Sequence, residues 1–147
     1  MEPKTNAAAL TDDVGFLLSR ASGNFVRVSN AALLSHGLRV RSYSVLVLAC
    51  EAADGLSQRE LAGVLGLDPS QVVLLVDELA AAGLVERQAA EADRRTRLVL
   101  PTPEGRRVRD AAGRAADAAV ETPLGLLGDG ERDRLRDMLT RIWTATG

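Results

Sequence analysis

Apolar residues recur along most of this chain at the three- and four-residue spacing of helices buried on one side. Leu10, Val14, Leu17, Leu18, Ala21, Phe25, Val28 and Ala32 trace the first such face, and Gly37 ends it. Residues 1–9 carry no period and read as a disordered tail. Gly15 and Gly23 weaken the first helix by up to about 1 kcal/mol each, so packing must hold it. A second helix spans about Ser42 to Ala53, with Tyr43, Leu46, Val47 and Cys50 on one face. Further on, Thr102-Pro103 opens a helix carrying Val108, Ala111, Ala112, Ala115 and Ala119. Pro123, Gly125 and Gly128 punctuate the chain. A last amphipathic helix, from about Glu131, shows Leu135, Met138, Leu139, Ile142 and Trp143.

The middle of the chain carries the densest local signals. Ser57-Gln-Arg-Glu60 is a capping box, in which serine and glutamate satisfy each other's free backbone N–H. Leu61, Val64 and Leu65 then point inward, and Gly66 stops the short helix. Asp68-Pro-Ser-Gln71 starts another, with Asp68 as N-cap, Pro69 in the first turn and Gln71 closing a second box. Its buried face is Val72, Leu75, Val76 and Leu79, and Gly83 ends it. Two short helices joined by a tight glycine turn make a helix-turn-helix. Leu84 to Gln88 and Thr96 to Leu100 follow as strand-like segments around the polar stretch Ala89 to Arg95, a hairpin with a long exposed tip. The fold class is therefore mainly α with a small β-hairpin wing.

Composition narrows the picture. The 147 residues suit a single domain. With 46% apolar but only 3% aromatic residues, its core must be built from Leu, Val and Ala. No apolar run reaches the roughly 20 residues of a membrane span, and the N-terminus lacks a signal-peptide pattern, so the expected location is cytoplasmic. There is no glycine-rich phosphate loop, no Gly-x-Ser-x-Gly elbow and no histidine beside a nucleophile. The expectation is no enzyme, no cofactor and no metal. Cys50 reads as a core thiol, with a redox sensor as the alternative. His36 reads as a partner for carbonyls at the end of the first helix.

Net charge is −2, but what matters for groove binding is where the positive charge sits. The hairpin tip Asp93-Arg94-Arg95-Thr96-Arg97 places three guanidinium groups within five residues. Such a finger suits the negative potential of a narrow minor groove, while the second helix of the pair enters the major groove.

The stretch Leu56 to Arg106, above all LVDELAAAGLVER and DRRTRLVLPTPEG, resembles the multiple-antibiotic-resistance regulator (MarR) family. The flanking helices extend the resemblance over about Leu10 to Ile142. It implies a winged helix-turn-helix with N- and C-terminal dimerisation helices: residues 10–37 and 104–145 for the dimer, 38–103 for the winged unit, all one domain over 10–147. It further implies a cytoplasmic homodimer that binds a pseudo-palindromic double-stranded operator as a repressor, released by a small amphipathic or phenolic effector. By position, Pro69 to Ala82 is the recognition helix and Arg95 the wing arginine. The DNA-binding candidates are Ser57, Arg59, Ser70, Gln71, Val73, Leu74, Arg94, Arg95 and Arg97. Val73 and Leu74 stand where Thr and Arg are common in the family, and Glu78 where a basic residue is frequent. Gln71 is thus the best reader of an adenine edge. Val73 and Leu74 either touch thymine methyls or serve as core or partner contacts. Phe16, Arg20, Asn24, Tyr43 and Val47 are candidate lining for an effector pocket between the first two helices and the partner. The competing expectation is a winged-helix module that acts through protein contacts, favoured by the acidic Asp77 and Glu78 on the recognition helix.

Overall fold

A computed structural model describes residues 7–146, with seven helices, a short 3-10 turn and three strands among them. Helix α1 (Ala7–Thr11) covers residues 7–9, expected to belong to a tail; residues 1–6 lie outside the described part. The apolar run from Leu10 is not one helix. Asp13 adopts an extended conformation and accepts the Phe16 N–H at 2.7 Å, which starts α2 (Val14–Leu33) afresh. A 3-10 turn (Leu34–His36) follows, and Gly37 leaves it with φ of 70°.

Helix α3 (Val40–Glu51) begins two residues before the predicted Ser42. Two side chains explain this: Asn30 Oδ1 accepts the Val40 N–H at 2.8 Å, and Ser42 Oγ accepts the Arg39 N–H at 3.0 Å. Its fully inward face is Ser42, Val45, Leu46 and Ala49, whereas Tyr43, Val47 and Cys50 are half-buried. The predicted face is rotated because α3 is packed from several sides, by α2 and by the later elements α5 and α6.

Strand β1 (Leu56–Ser57) leads into α4 (Gln58–Leu65), and α5 (Pro69–Ala81) follows. In α4 the inward residues are Leu61 and Ala62, with Val64 turned out to 48% exposure. Strands β2 (Val85–Ala89) and β3 (Arg97–Pro101) form the expected hairpin, with Arg87 opposite Val99. The sheet has a third member, since Leu56 and Ser57 pair antiparallel with Val99 and Leu98 in the order β1-β3-β2. Leu33, Leu38, Leu46, Leu61, Val72, Val76, Leu79 and Val99 form the core beneath these elements.

Helix α6 (Pro103–Leu124) is joined tightly to the wing. Thr102 caps it by accepting the Gly105 N–H at 2.9 Å and donates its hydroxyl to the Gly83 carbonyl at 2.6 Å. The Thr102 N–H reaches the Leu84 carbonyl at 3.0 Å. Helix α7 (Asp129–Thr146) contributes no buried residue. Arg132 ties its start to α6 through the Leu124 carbonyl and both Glu121 oxygens at 2.9–3.1 Å.

Candidate nucleic-acid interface

The helix-turn-helix rests on its caps. Ser57 Oγ accepts the Glu60 N–H at 3.1 Å and Glu60 Oε2 accepts the Ser57 N–H at 2.8 Å, the full reciprocal box. Those bonds hold the Glu60 carboxyl below its ordinary value, the Ser57 backbone bond first. At Gly66 the backbone is left-handed, with φ of 64°, a turn that favours glycine. Val72, Val76 and Leu79 anchor α5 in the core, with Leu75 half-buried. The opposite side of α5 therefore presents Ser70, Gln71, Val73, Leu74, Asp77 and Glu78 to solvent.

Two expectations about that face change. Gln71 Oε1 accepts the Asp68 N–H at 3.1 Å, so only its amide NH2 is left to donate. Paired reading of an adenine needs both an acceptor and a donor, so Gln71 in this arrangement suits an acceptor edge instead. Val73 is 36% and Leu74 64% exposed, which removes the core reading for both. They are apolar groups on the outward face.

The wing tip is built by Asp93. Its carboxylate accepts the Arg95 N–H at 3.0 Å and the Thr96 hydroxyl at 3.1 Å, while the Thr96 N–H bonds the Asp93 carbonyl. Arg94 and Arg95 sit exposed on this turn and Arg97 at the base of β3. Among the described residues, none of Arg59, Arg94, Arg95 or Arg97 makes a side-chain hydrogen bond or ion pair, so these cations are free for phosphates.

Arg87, on β2, escaped the sequence reading. Its guanidinium donates to Gln58 Oε1 at 2.9 and 3.1 Å and to Asp77 Oδ1 at 2.7 Å. Asp77 is therefore a paired carboxylate, which weakens the argument from an acidic recognition helix.

The expected effector pocket is only partly assembled. Tyr43 lines a cleft of about 330 Å³ with Arg109, Asp110, Gly113, Arg114 and Asp117, and burial, then Asp117, pushes its hydroxyl pKa up. A larger cavity of about 640 Å³ lies between α2, the start of α3 and α5, where Val26, Asn30, Arg39, Val40, Leu75 and Glu78 are among its lining. Phe16, Arg20, Asn24 and Val47 line neither. Arg20 and Asn24 are exposed on α2. Cys50 is half-buried, and burial pushes its thiol up despite Arg106 and Arg109 nearby, which makes it a poor nucleophile. His36 sits in the 3-10 turn without a hydrogen bond to any carbonyl among the described residues, contrary to expectation.

This geometry has close counterparts. The sequence profile described as MarR family matches residues 36–96, from the turn before α3 to the wing tip. CouR from Rhodococcus jostii RHA1, solved bound to p-coumaroyl-CoA, is 52% identical. The alignment covers 90% of this chain and 93% of that one, with a TM-score of 0.85. A MarR family transcriptional regulator from Rhodococcus sp. RHA1 is 51% identical, covering 90% and 94% of the two chains at a TM-score of 0.86. The chain belongs to the MarR family. The transcriptional repressor CouR bound to a 23-mer DNA duplex is 29% identical over 97% and 99%, with a TM-score of 0.85. The MarR frame thus extends beyond the residues of the profile, to both sets of terminal helices.

Proposed function

We propose that this protein is a homodimeric transcriptional repressor that binds a pseudo-palindromic operator and is released by an aromatic acyl-CoA thioester. The observation that carries the DNA reading is the set of unpaired arginines at Arg94, Arg95 and Arg97 beside a helix capped at both signals and anchored by Val72, Val76 and Leu79. Its likeness to a MarR protein solved on a DNA duplex supports the same reading. Ser57, Arg59 and Ser70 lie on the same side as phosphate contacts, Gln71, Val73 and Leu74 meet base edges, and the wing enters the minor groove. Regulation is by binding, not by catalysis.

The dimer follows from α7. A helix of 18 residues that buries no residue in its own protomer has little beyond the Arg132 ties to α6 to stabilise it, and isolated helices of this length are marginal in water. Its Met138, Leu139, Ile142 and Trp143, with Leu10, Val14 and Leu17 at the other end of the chain, form exposed apolar surface that a second copy covers.

For the effector, the cavity between α2, α3 and α5 has the right chemistry. Val26, Val40 and Leu75 offer an apolar floor, and Arg39 and Arg41 offer cations for phosphates. The 52% identity to CouR, solved with p-coumaroyl-CoA, supports this class of ligand.

A fluorescence-anisotropy titration against the protein's own upstream DNA and a scrambled duplex, at several salt concentrations, tests the proposal. Affinity is expected to fall steeply with salt, as phosphate contacts require, and p-coumaroyl-CoA is expected to release the DNA. Absence of binding to either duplex at any salt would sink the DNA reading. The exposed Val73 and Leu74 favour a second reading, a protein partner docked on α5, whose binding would change little with salt.

A further inference from the structure

Among the described residues, one guanidinium reaches all three parts of the DNA-binding unit, and it belongs to none of the expected contacts. Arg87 projects from wing strand β2, is 27% exposed at its side chain, and bonds to Gln58 on α4 and Asp77 on α5. A longer contact of 3.4 Å runs from the same nitrogen to the Val73 carbonyl, in the middle of the recognition helix. The forked, planar guanidinium is suited to several acceptors at fixed angles, which an ammonium is not.

We infer that Arg87 is a positioning residue that sets the angle of the recognition helix to the wing and thereby the sequence preference of DNA binding. The inference rests on the proposed DNA-binding reading and names the residue that makes its two reading elements act together. If α5 rotates relative to the hairpin, base edges and minor groove can no longer be engaged in register. Contacts to phosphate tolerate such a shift, because phosphates repeat along the duplex; hydrogen bonds and close apolar contacts to base edges do not. Loss of the clamp therefore falls on discrimination rather than on general affinity. Arg87 also offsets the Asp77 carboxylate, 55% exposed on the outward side of α5.

The test compares the full-length protein with Arg87→Lys, Arg87→Met, Gln58→Ala and the double variant Arg87→Met/Asp77→Asn. Each is titrated against its upstream DNA and a scrambled duplex, with thermal unfolding recorded for each. The ratio of the two affinities is expected to fall about tenfold in Arg87→Met and by a similar factor in Arg87→Lys, since lysine keeps the charge but not the fork. Arg87→Met also bares the Asp77 carboxylate, which lowers affinity for both duplexes alike; the double variant removes that charge and is expected to restore general affinity but not the ratio. The salt dependence of wild type and of Arg87→Met/Asp77→Asn, in which the cation is gone, should be the same. If Arg87→Met does not fold, Gln58→Ala decides, with an expected fall of about threefold from the loss of two of the bonds. A ratio unchanged in the folded variants would overturn the inference. So would a salt slope reduced by about one, which marks a direct phosphate contact. Wild-type protein that binds neither duplex would instead overturn the DNA reading itself.

Discussion

Arg95 and Gln71 are the single side chains on which the proposed reading of DNA is tested most directly. Arg95 is exposed at the wing tip, on a turn that Asp93 holds through the Arg95 N–H, so its guanidinium is presented without a competing partner. Arg95→Ala is expected to weaken binding to the upstream DNA by at least about 1 kcal/mol, read by anisotropy titration. An unchanged affinity would remove the wing from the mechanism. Gln71 closes a helix cap and, in the proposed reading, also contacts a base. Gln71→Ala is expected to lower stability by about 0.5–1 kcal/mol in urea unfolding. It should also relax preference at one base pair, whose groove edge offers an acceptor to an amide donor. A uniform loss across sequences would contradict base reading. At this scale the sequence was informative about which residues face outward, because a cap and a buried stripe determine the opposite side of a helix. The box read at Asp68 and Gln71 already placed the Gln71 oxygen on the Asp68 N–H, as the structure has it.

Elements hold together through their ends. In α4 the Glu60 carboxyl is held low by the Ser57 bonds, so the folded form releases its proton more readily than the unfolded chain. This contribution is present above the ordinary carboxylate range and is lost as pH falls through the lowered value. Glu60→Gln should therefore flatten the acid side of a stability-against-pH curve measured by urea melts; a curve that keeps its shape would show the box to be unimportant. The joint between wing and α6 is less forgiving. Gly105 is buried, and a Cβ there would lie 1.9 Å from the Leu84 carbonyl oxygen. Gly105→Ala is expected to cost at least about 3 kcal/mol or to prevent folding, since the obstacle is backbone and cannot swing aside. A thermal melt matching wild type would refute the close approach. Thr102-Pro103 as a helix start was plain in the sequence; the reason for the glycine two residues on was not, because the surface it meets lies about twenty residues away.

For the whole molecule, the terminal helices decide whether the DNA-binding unit is used once or twice. Leu139, Ile142 and Trp143 lie on α7 at 42%, 52% and 64% exposure, and nothing among the described residues buries them. Ile142→Asp, which places a charge in that apolar surface, is expected to convert the dimer to monomer in sedimentation velocity. Operator affinity should fall at the same time, because a two-fold protein reads two half-sites about 34 Å apart and a monomer reads one. A variant that stays dimeric would move the interface elsewhere. Apolar excess at both ends of the chain was visible in the helical periodicity, but not how little of it the protomer covers.

Caps, stop glycines and apolar periods act over a few residues, and for that reason the order of α2 to α7, the hairpin and the outward face of α5 followed from the amino acids in order. Long-range geometry is different in kind. Leu56 and Ser57 form a strand only because β3 arrives beside them, Ala62 replaces Val64 inside only because of how α4 is rotated, and Arg87 meets Gln58 and Asp77 across separations of 29 and 10 residues. Spacing along a chain specifies which way a side chain points from its own helix or strand. The packing of several elements against one core specifies what it then touches.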